Sequence, residues 1–428
     1  VGNLRAALLN WLFTRQMGGT IVLRFDDTDL ARSTREFADS IADDLAWAGL
    51  TFDEVTRQSD RLATYDAAAG SLKEQGLLYP CYETPAELER RRARQLARGN
   101  PPVYDRAALD LSDEERATLE AEGRKPHWRF RLSHKTVSWN DLVRGPQSIE
   151  TSSVSDPVLI REDGTYTYML PSSADDAEMG ITHVLRGEDH VTNTAAQIEL
   201  LEALGAAQPA FGHFPLMVAT GGAKLSKREG GASVEEVRAL GLEPVAVVSY
   251  LALLGTSDDV KPMNLAALTE NFEFSKFGRA PGHYAVADIG RLNADWLHEA
   301  DYETMAPSLK ALGLDVSASL WVAIHGNLEK LTDAAGWVDV VSGTITPVVE
   351  DKGFAEKAAS LLPPEPWDET TWKAWTDTVK AETGAKGKAL FMPLRLALTG
   401  LDHGPELKAL LPLIGRDKAR TRLSGDMG

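Results

Sequence analysis

The stretch from Val1 to Asp29 constrains the fold most, because a helix, a stop, a strand and an acidic run follow one another within it. Leu4, Leu8, Trp11 and Leu12 recur at the three- to four-residue spacing of an amphipathic helix. Gly18-Gly19 marks its end, since glycine enters the left-handed conformation of a helix C-terminus without steric cost. The segment TIVLRF then reads as a short buried strand running into Asp26-Asp27-Thr28-Asp29. A helix that leads into a strand with polar residues at its carboxyl end predicts a parallel α/β sheet, whose ligands collect at that edge. Arg5, Asn10 and Arg15 interrupt the first helix and no small-residue cleavage site follows, so it does not read as a signal segment. Residues 35–50 and 58–78 read as further helices.

The character of the chain changes after that. In ETPAELERRRARQLARG, Thr84 is placed as N-cap, Pro85 at the first helical position and Glu87 at the capping-box position. From Lys125 to Arg161 the short β-like runs HWRFRL, KTVSWNDLV and PVLIR predict an α+β insertion. A second α/β stretch follows, with a helix through 192–204, and beyond about residue 233 helical periodicity dominates. Tryptophans at 321, 337, 367, 372 and 375 suggest that the helical tail has a core of its own. A chain of 428 residues exceeds the usual domain size, so several domains are expected. No run approaches the roughly 18 apolar residues of a membrane span. Cys81 is the only cysteine, which excludes an intrachain disulfide and a thiolate zinc cluster and fits a reducing cytoplasm. The net charge of −18 argues against a general nucleic-acid coat protein, so any RNA contact must be patchy.

Three segments are candidates for chemistry. The run Asp26-Asp27-Thr28-Asp29 could bind a divalent cation or an amine, or could be a solvated turn with capping side chains; it lacks the glycine and terminal glutamate of an EF-hand loop. In TGGAKLSKREGG, Lys224, Lys227 and Arg228 sit between glycine flanks that would let the loop close over a polyphosphate, although an exposed basic turn reads equally well. It is not a Walker A loop. Arg90 to Arg94 with Arg98 could contact phosphates or form a solvated helix face. His183, His190 and His213 are not spaced as a metal set, and no GxSxG elbow occurs.

Taken together these pieces resemble a known family. VGN before a helix looks like the last three positions of the class I aminoacyl-tRNA synthetase HIGH motif, and KLSKR is similar to that class's KMSKS loop. LRFDDTD, YTYMLPSSADD and VLRGEDHVTNT resemble the corresponding segments of bacterial glutamyl-tRNA synthetases, as does KGKALFMPLRLALTGLDHGPEL near the C-terminus. The resemblance implies an α/β fold: a split Rossmann-like catalytic domain with an α+β insertion, followed by an all-α anticodon-binding domain. It places the catalytic halves at 1–67 and 163–192, an acceptor-stem-binding insertion at 68–162, a stem-contact region with the KLSKR loop at 193–300, and the anticodon-binding domain at 301–428. The implied activity is glutamate–tRNA ligation with ATP and Mg2+, acting on L-glutamate and tRNA(Glu) in the cytoplasm as a monomer, with no membrane.

By the same resemblance, Val1, Gly2, Asn3, Asp189, Met217, Lys224, Leu225, Ser226, Lys227 and Arg228 bind ATP, with Lys224 and Lys227 steadying the phosphates during the reaction. Asp26 would pair with the glutamate ammonium, and Tyr168, Ser172 and Arg186 match the other glutamate positions. Asp175-Asp176 belongs to a matched stretch without an assigned ligand. Asp26 stands where glutamate is more usual, and Ser172 where asparagine is. Some relatives hold zinc in the insertion; with Cys81, Glu83 and a cysteine-free VYDR at those positions, no zinc and no other metal site is expected. The motif's leading histidine and the strand before it are missing, which reads as an N-terminal truncation with activity far below that of the restored protein. The rival readings are a glutamyl-queuosine-tRNA(Asp) synthetase, which lacks an anticodon region; a glutaminyl-tRNA synthetase, in which a β-barrel would replace the helical tail; and a catalytically inactive tRNA-binding paralogue.

Overall fold

The computed structural model describes residues 1–28, 33–223 and 233–428. They form two compact units. The first comprises Val1–Val234, Leu251–Asp259 and Asn264–Tyr284; the second comprises Glu235–Tyr250, Val260–Met263 and Ala285–Gly428.

The first unit is built on parallel strand pairs. The opening helix spans Gly2–Gln16 and buries Leu4, Arg5, Leu8, Leu9, Leu12 and Phe13. Trp11, expected on that face, sits at its rim and donates its indole N–H to the Thr51 carbonyl. Arg5 is buried because its guanidinium replaces water with three carbonyls: Pro215 and Leu254 at 2.8 Å and Leu251 at 3.1 Å. Strand Val22–Phe25 pairs in parallel with Glu54–Arg57, and the helix Arg35–Trp47 makes the crossover. Strand His183–Gly187 pairs in parallel with Ala210–Phe214 across the helix Val191–Ala203. A third parallel pair joins Met217–Ala219 to Gly282–Tyr284. The parallel architecture read from the first 29 residues is present, but as three short ladders.

The strands between Leu78 and Ile160 are antiparallel. Leu78–Cys81, His127–Phe130 and Val158–Ile160 form one three-stranded sheet, and Thr136–Asp141 pairs with Gly145–Glu150 as a hairpin. The helix Pro85–Ala97 starts at the expected capping box: Thr84 Oγ1 accepts from Glu87 N, and Glu87 Oε2 accepts from Thr84 N.

The second unit contains helices and no strand among its described residues. Its core gathers Trp321, Trp337 and Trp375 with leucines from Leu297 to Leu423, and Trp367 and Trp372 pack at its margin. The buried indoles are hydrogen-bonded, Trp321 to the Ala300 carbonyl at 2.9 Å and Trp375 to that of Ala358 at 3.0 Å. Arg422 is fully buried in the same unit and donates Nη1 to the Val340 and Leu398 carbonyls at 2.7 and 2.8 Å. These carbonyls lie at or near the ends of the helices Ala334–Val341 and Lys388–Thr399, where the backbone lacks an intrahelical donor. No helix among the described residues is long and apolar enough to cross a membrane.

Candidate active site

The polar residues at the carboxyl ends of the parallel strands are organised by a chain of hydrogen bonds that runs from an exposed end to a part-buried one. It begins at Asp26, one residue beyond strand Val22–Phe25. The Asp26 carboxylate is half-exposed and accepts from Arg24 Nε at 2.9 Å. Arg24 Nη1 donates to Asp176 Oδ1 at 3.0 Å. Gln197 Nε2 donates to the other Asp176 oxygen at 3.2 Å, and its Oε1 accepts from Arg186 Nη1 at 2.8 Å. Arg186 therefore stands at the far end of a chain that starts at Asp26. Burial acts to lower the Arg24 pKa, but Asp26 and Asp176 outweigh it and hold the guanidinium charged.

Arg186 is held on three sides. Besides Gln197, its Nη2 donates to Thr194 Oγ1 at 2.7 Å and its Nε to His213 Nε2 at 3.2 Å. Burial lowers its pKa. The Tyr168 ring is exposed, packs edge-on against His190 at 5.9 Å, and receives the Asn193 amide on its hydroxyl at 2.6 Å. Burial raises the Tyr168 pKa and lowers that of His190; Arg186 acts on both, which puts the three groups in one electrostatic neighbourhood.

Asp175 and Asp176, left without a ligand in the sequence reading, are buried in the helix Met169–Glu178 and serve as counter-charges. Asp175 accepts from Arg61 Nε at 2.7 Å, from Tyr65 OH at 3.0 Å and from Gln58 Nε2 at 3.2 Å. Asp27 is buried as well, and accepts from Ser59 N and Oγ at 2.8 and 2.9 Å. The acidic run thus divides its work: Asp27 fixes a turn and Asp26 faces solvent.

The other predicted residues are placed as follows. Val1 is the N-cap of the opening helix, with no side-chain capping bond, and no acidic residue stands in the first turn. Gly2 and Asn3 are exposed. A Cβ at Gly2 would meet no atom within 4 Å and its φ is not left-handed, so neither packing nor backbone conformation demands glycine there. Gly187 differs: a Cβ would lie 2.6 Å from Asp189 Oδ1, so glycine is what lets Asp189 fold back over the strand end. Ser172 is buried one turn after Tyr168, and Met217 begins the strand Met217–Ala219. Asp29, Lys224, Leu225, Ser226, Lys227 and Arg228 lie outside the described residues.

Sequence reading missed Arg24, Asp141, Thr194, Gln197 and the role of His213. Arg24 carried a signal, since a charged residue inside an apolar strand needs a buried partner. Asp141, Thr194 and Gln197 carried none, because their partners are distant in sequence.

One group among the described residues could hold a metal ion. Cys81, Glu83 and His127 place their ligand atoms within 4.8 Å of one another. Glu83 Oε2 and His127 Nε2 are buried without hydrogen-bond partners. Tyr104 OH donates to Glu83 Oε1 at 2.7 Å and lies 3.7 Å from Cys81 Sγ. Burial pushes the Cys81 thiol up to about 12 and pulls His127 down to about 4.

Comparison with known proteins identifies the family. Residues 1–279 match the family of class I tRNA synthetases (E and Q), catalytic domain, and residues 351–425 match an anticodon binding domain. The chain is 58% identical to glutamate–tRNA ligase 2 of Methylobacterium sp. (strain 4-46), over 100% of this chain and 96% of that protein. It is 53% identical to glutamate–tRNA ligase 1 of Rhodospirillum rubrum with the same coverage. Among solved structures, a glutamate tRNA ligase from Elizabethkingia meningosepticum in complex with its amino acid superposes with a TM-score of 0.84 at 25% identity, covering 99% of this chain and 95% of that one. A matched catalytic family over more than half its length, a matched anticodon domain and full-length relatives above 50% identity lead to one conclusion: the chain belongs to the glutamate–tRNA ligases of the class I tRNA synthetase family.

Proposed function

We propose that this site activates L-glutamate with ATP to glutamyl-adenylate and transfers the glutamyl group to the 3′ end of tRNA(Glu). The observation that carries this reading is the chain from Asp26 to Arg186. It sets a half-exposed carboxylate at one end and a guanidinium at the other, the two charges that an amino acid with an acidic side chain requires. Asp26 takes the substrate ammonium while Arg24 keeps Asp176. Arg186, with Tyr168 and Ser172, takes the side-chain carboxylate.

The substrate α-carboxylate attacks the α-phosphorus of ATP and pyrophosphate leaves; a hydroxyl of the tRNA's terminal adenosine then takes the acyl group and AMP leaves. The first step needs positioning and charge stabilisation more than proton transfer. The helix N-terminus at Val1, Gly2 and Asn3 points its first-turn amides and the positive end of the helix dipole toward phosphate. Lys224 and Lys227, with Leu225, Ser226 and Arg228, act on the phosphates. Asp189 holds the ribose and the Met217 backbone the adenine. Mg2+ carried by the nucleotide would offset its phosphate charge.

The tRNA is served by an acceptor-stem insertion at 68–162, a stem-contact region at 193–300 and an anticodon domain at 301–428. Zinc is not a resident group in this reading. The Cys81 group supplies a single sulfur, and Tyr104 occupies one Glu83 oxygen. A purified sample should contain well under about 0.1 equivalent of zinc by elemental analysis; one equivalent would overturn this point. The enzyme acts as a cytoplasmic monomer, which light scattering in solution tests.

The deciding experiment is tRNA-dependent ATP–pyrophosphate exchange together with charging of tRNA(Glu) by radiolabelled glutamate. Charging of tRNA(Glu) is expected. Modification of the tRNA(Asp) anticodon base would establish the glutamyl-queuosine rival, and tRNA binding without either reaction an inactive paralogue.

A further inference from the structure

Arg186 is clamped by neutral groups. Its three direct partners are an imidazole nitrogen, an amide oxygen and a hydroxyl, and no carboxylate lies within ion-pair distance of it among the described residues. Three of its five N–H donors are thereby engaged, one on Nε and one on each Nη, which leaves one N–H on each Nη. Two N–H donors match the two oxygens of a carboxylate in number. The carboxylates Asp176 and Asp141 stand one residue farther back, behind Gln197 and His213.

His213 is the key to the Nε side. It is the register partner of Arg186 in the parallel pair and is fully buried. His213 Nε2 lies 3.2 Å from Arg186 Nε, which can only donate, and 3.0 Å from the Thr194 hydroxyl, which can donate as well; the arrangement that serves both puts the lone pair on Nε2 and the ring proton on Nδ1. Asp141 enforces that tautomer. Its Oδ2 lies 2.5 Å from His213 Nδ1, and its Oδ1 is fixed by the backbone N–H groups of Arg144 at 2.9 Å and of Val143 and His213 at 3.1 Å. A carboxylate so held has no proton to give and can only accept from Nδ1. Burial pushes the Asp141 pKa up, but His213 and these amides outweigh it and hold it at about 2.

We propose that Asp141 and His213 are positioning residues for glutamate recognition: they lock one imidazole tautomer, which turns the Arg186 guanidinium toward the substrate carboxylate while leaving its charge unpaired. This rests on the reading of Arg186 as the carboxylate-binding residue. A direct carboxylate partner would orient the guanidinium equally well but would offset the charge that makes it prefer a carboxylate over a carboxamide. A neutral acceptor orients without that loss.

The test measures KM for glutamate, KM for ATP and kcat in tRNA charging, with thermal melts as a folding control. His213→Leu removes the acceptor and should raise KM for glutamate about tenfold while KM for ATP stays within about twofold. His213→Gln keeps an oxygen near the Nε2 position and should stay within about threefold of the parent. In Asp141→Asn the three backbone amides select the side-chain oxygen, so the NH2 faces Nδ1, the ring proton moves to Nε2, and two donors face each other at Arg186; KM for glutamate should rise about as much as in His213→Leu. Glutamine has no tautomer to misplace, so the double variant Asp141→Asn/His213→Gln should return to the value of His213→Gln alone. That rescue separates positioning from mere structure, and it remains readable if His213→Leu does not fold. Equal damage from His213→Gln and His213→Leu, absence of the rescue, or a parallel rise in KM for ATP would each overturn the proposal. Arg186→Ala distinguishes the two levels: if it leaves KM for glutamate unchanged, the carboxylate-binding reading falls and takes this proposal with it. If it raises KM while both His213 variants behave as the parent, only the positioning proposal falls.

Discussion

Both units of this protein fix an arginine inside the fold, fully buried at Arg422 and part-buried at Arg186, and they use it in opposite ways. In the helical unit the Arg422 Nη1 donors end on the carbonyls of Val340 and Leu398, so the side chain stitches helix ends together. In the catalytic unit Arg186 is fixed by three side chains but keeps an N–H on each Nη. Arg24 stands between these cases, with its charge matched by Asp26 and Asp176. The difference teaches that burial of a charge does not by itself mark a site. What marks it is donor capacity left over after the fold has been satisfied, because desolvating that capacity is worthwhile only if a ligand completes it.

The comparison breaks if the two arginines fail to separate function from stability. The largest effect is expected at Arg186. Arg186→Ala should raise KM for glutamate about 10²-fold or more, as two charge-assisted hydrogen bonds are lost, an effect on function beyond the loss of about 1–3 kcal/mol of stability expected when buried His213, Gln197 and Thr194 lose their donor. Steady-state charging and a urea melt on the same sample measure both. Arg422→Met should cost stability alone. It leaves the Val340 and Leu398 carbonyls without their donor in an apolar core and should cost about 2–4 kcal/mol, with KM for glutamate unchanged. A loss of glutamate affinity in Arg422→Met without loss of stability would remove the distinction.

Legibility in the sequence follows the same divide. The opening helix, the strand after Gly18-Gly19, the capping box at Thr84 and Glu87 and the tryptophan-lined core were readable because each rests on local periodicity or on residues within one turn of each other. Asp26, Tyr168 and Arg186 were readable only through the family resemblance. Asp141 and His213 are 72 positions apart, and nothing local in NDLV or FGHF announces that they meet. The Cys81 group shows the limit from the other side: its residue types argued against a metal site, whereas the fold brings His127 beside Cys81 and Glu83.

A smaller effect sharpens the comparison through pH. Asp141 titrates at about 2 in the folded protein and near 3.8 when unfolded, so the folded state holds the ionised form more tightly. Its contribution of about 2 kcal/mol is fully present above pH 4 and is lost as pH falls through 2. In Asp141→Asn that acid-dependent contribution disappears. Urea melts between pH 4 and 2 should then fall less steeply for the variant than for the parent. Equal slopes would mean that the carboxylate is not held by His213 and the amides as the geometry requires.

The smallest stability effect, and the sharpest contrast, is expected at Gly2. Alanine there meets no atom within 4 Å and needs no unusual backbone angle. At a helical position, removing glycine lowers the entropy of the unfolded chain, so Gly2→Ala should be neutral or stabilising by up to about 1 kcal/mol. If glycine is present so that phosphate can approach the first-turn amides, the same methyl group stands where ATP must come, and KM for ATP should rise while KM for glutamate does not. A variant that is more stable and weaker for ATP would place the reason for Gly2 in the ligand rather than in the fold. An unchanged KM for ATP would remove Gly2 from the nucleotide site, leaving the helix N-terminus to be argued from Val1 and Asn3 alone.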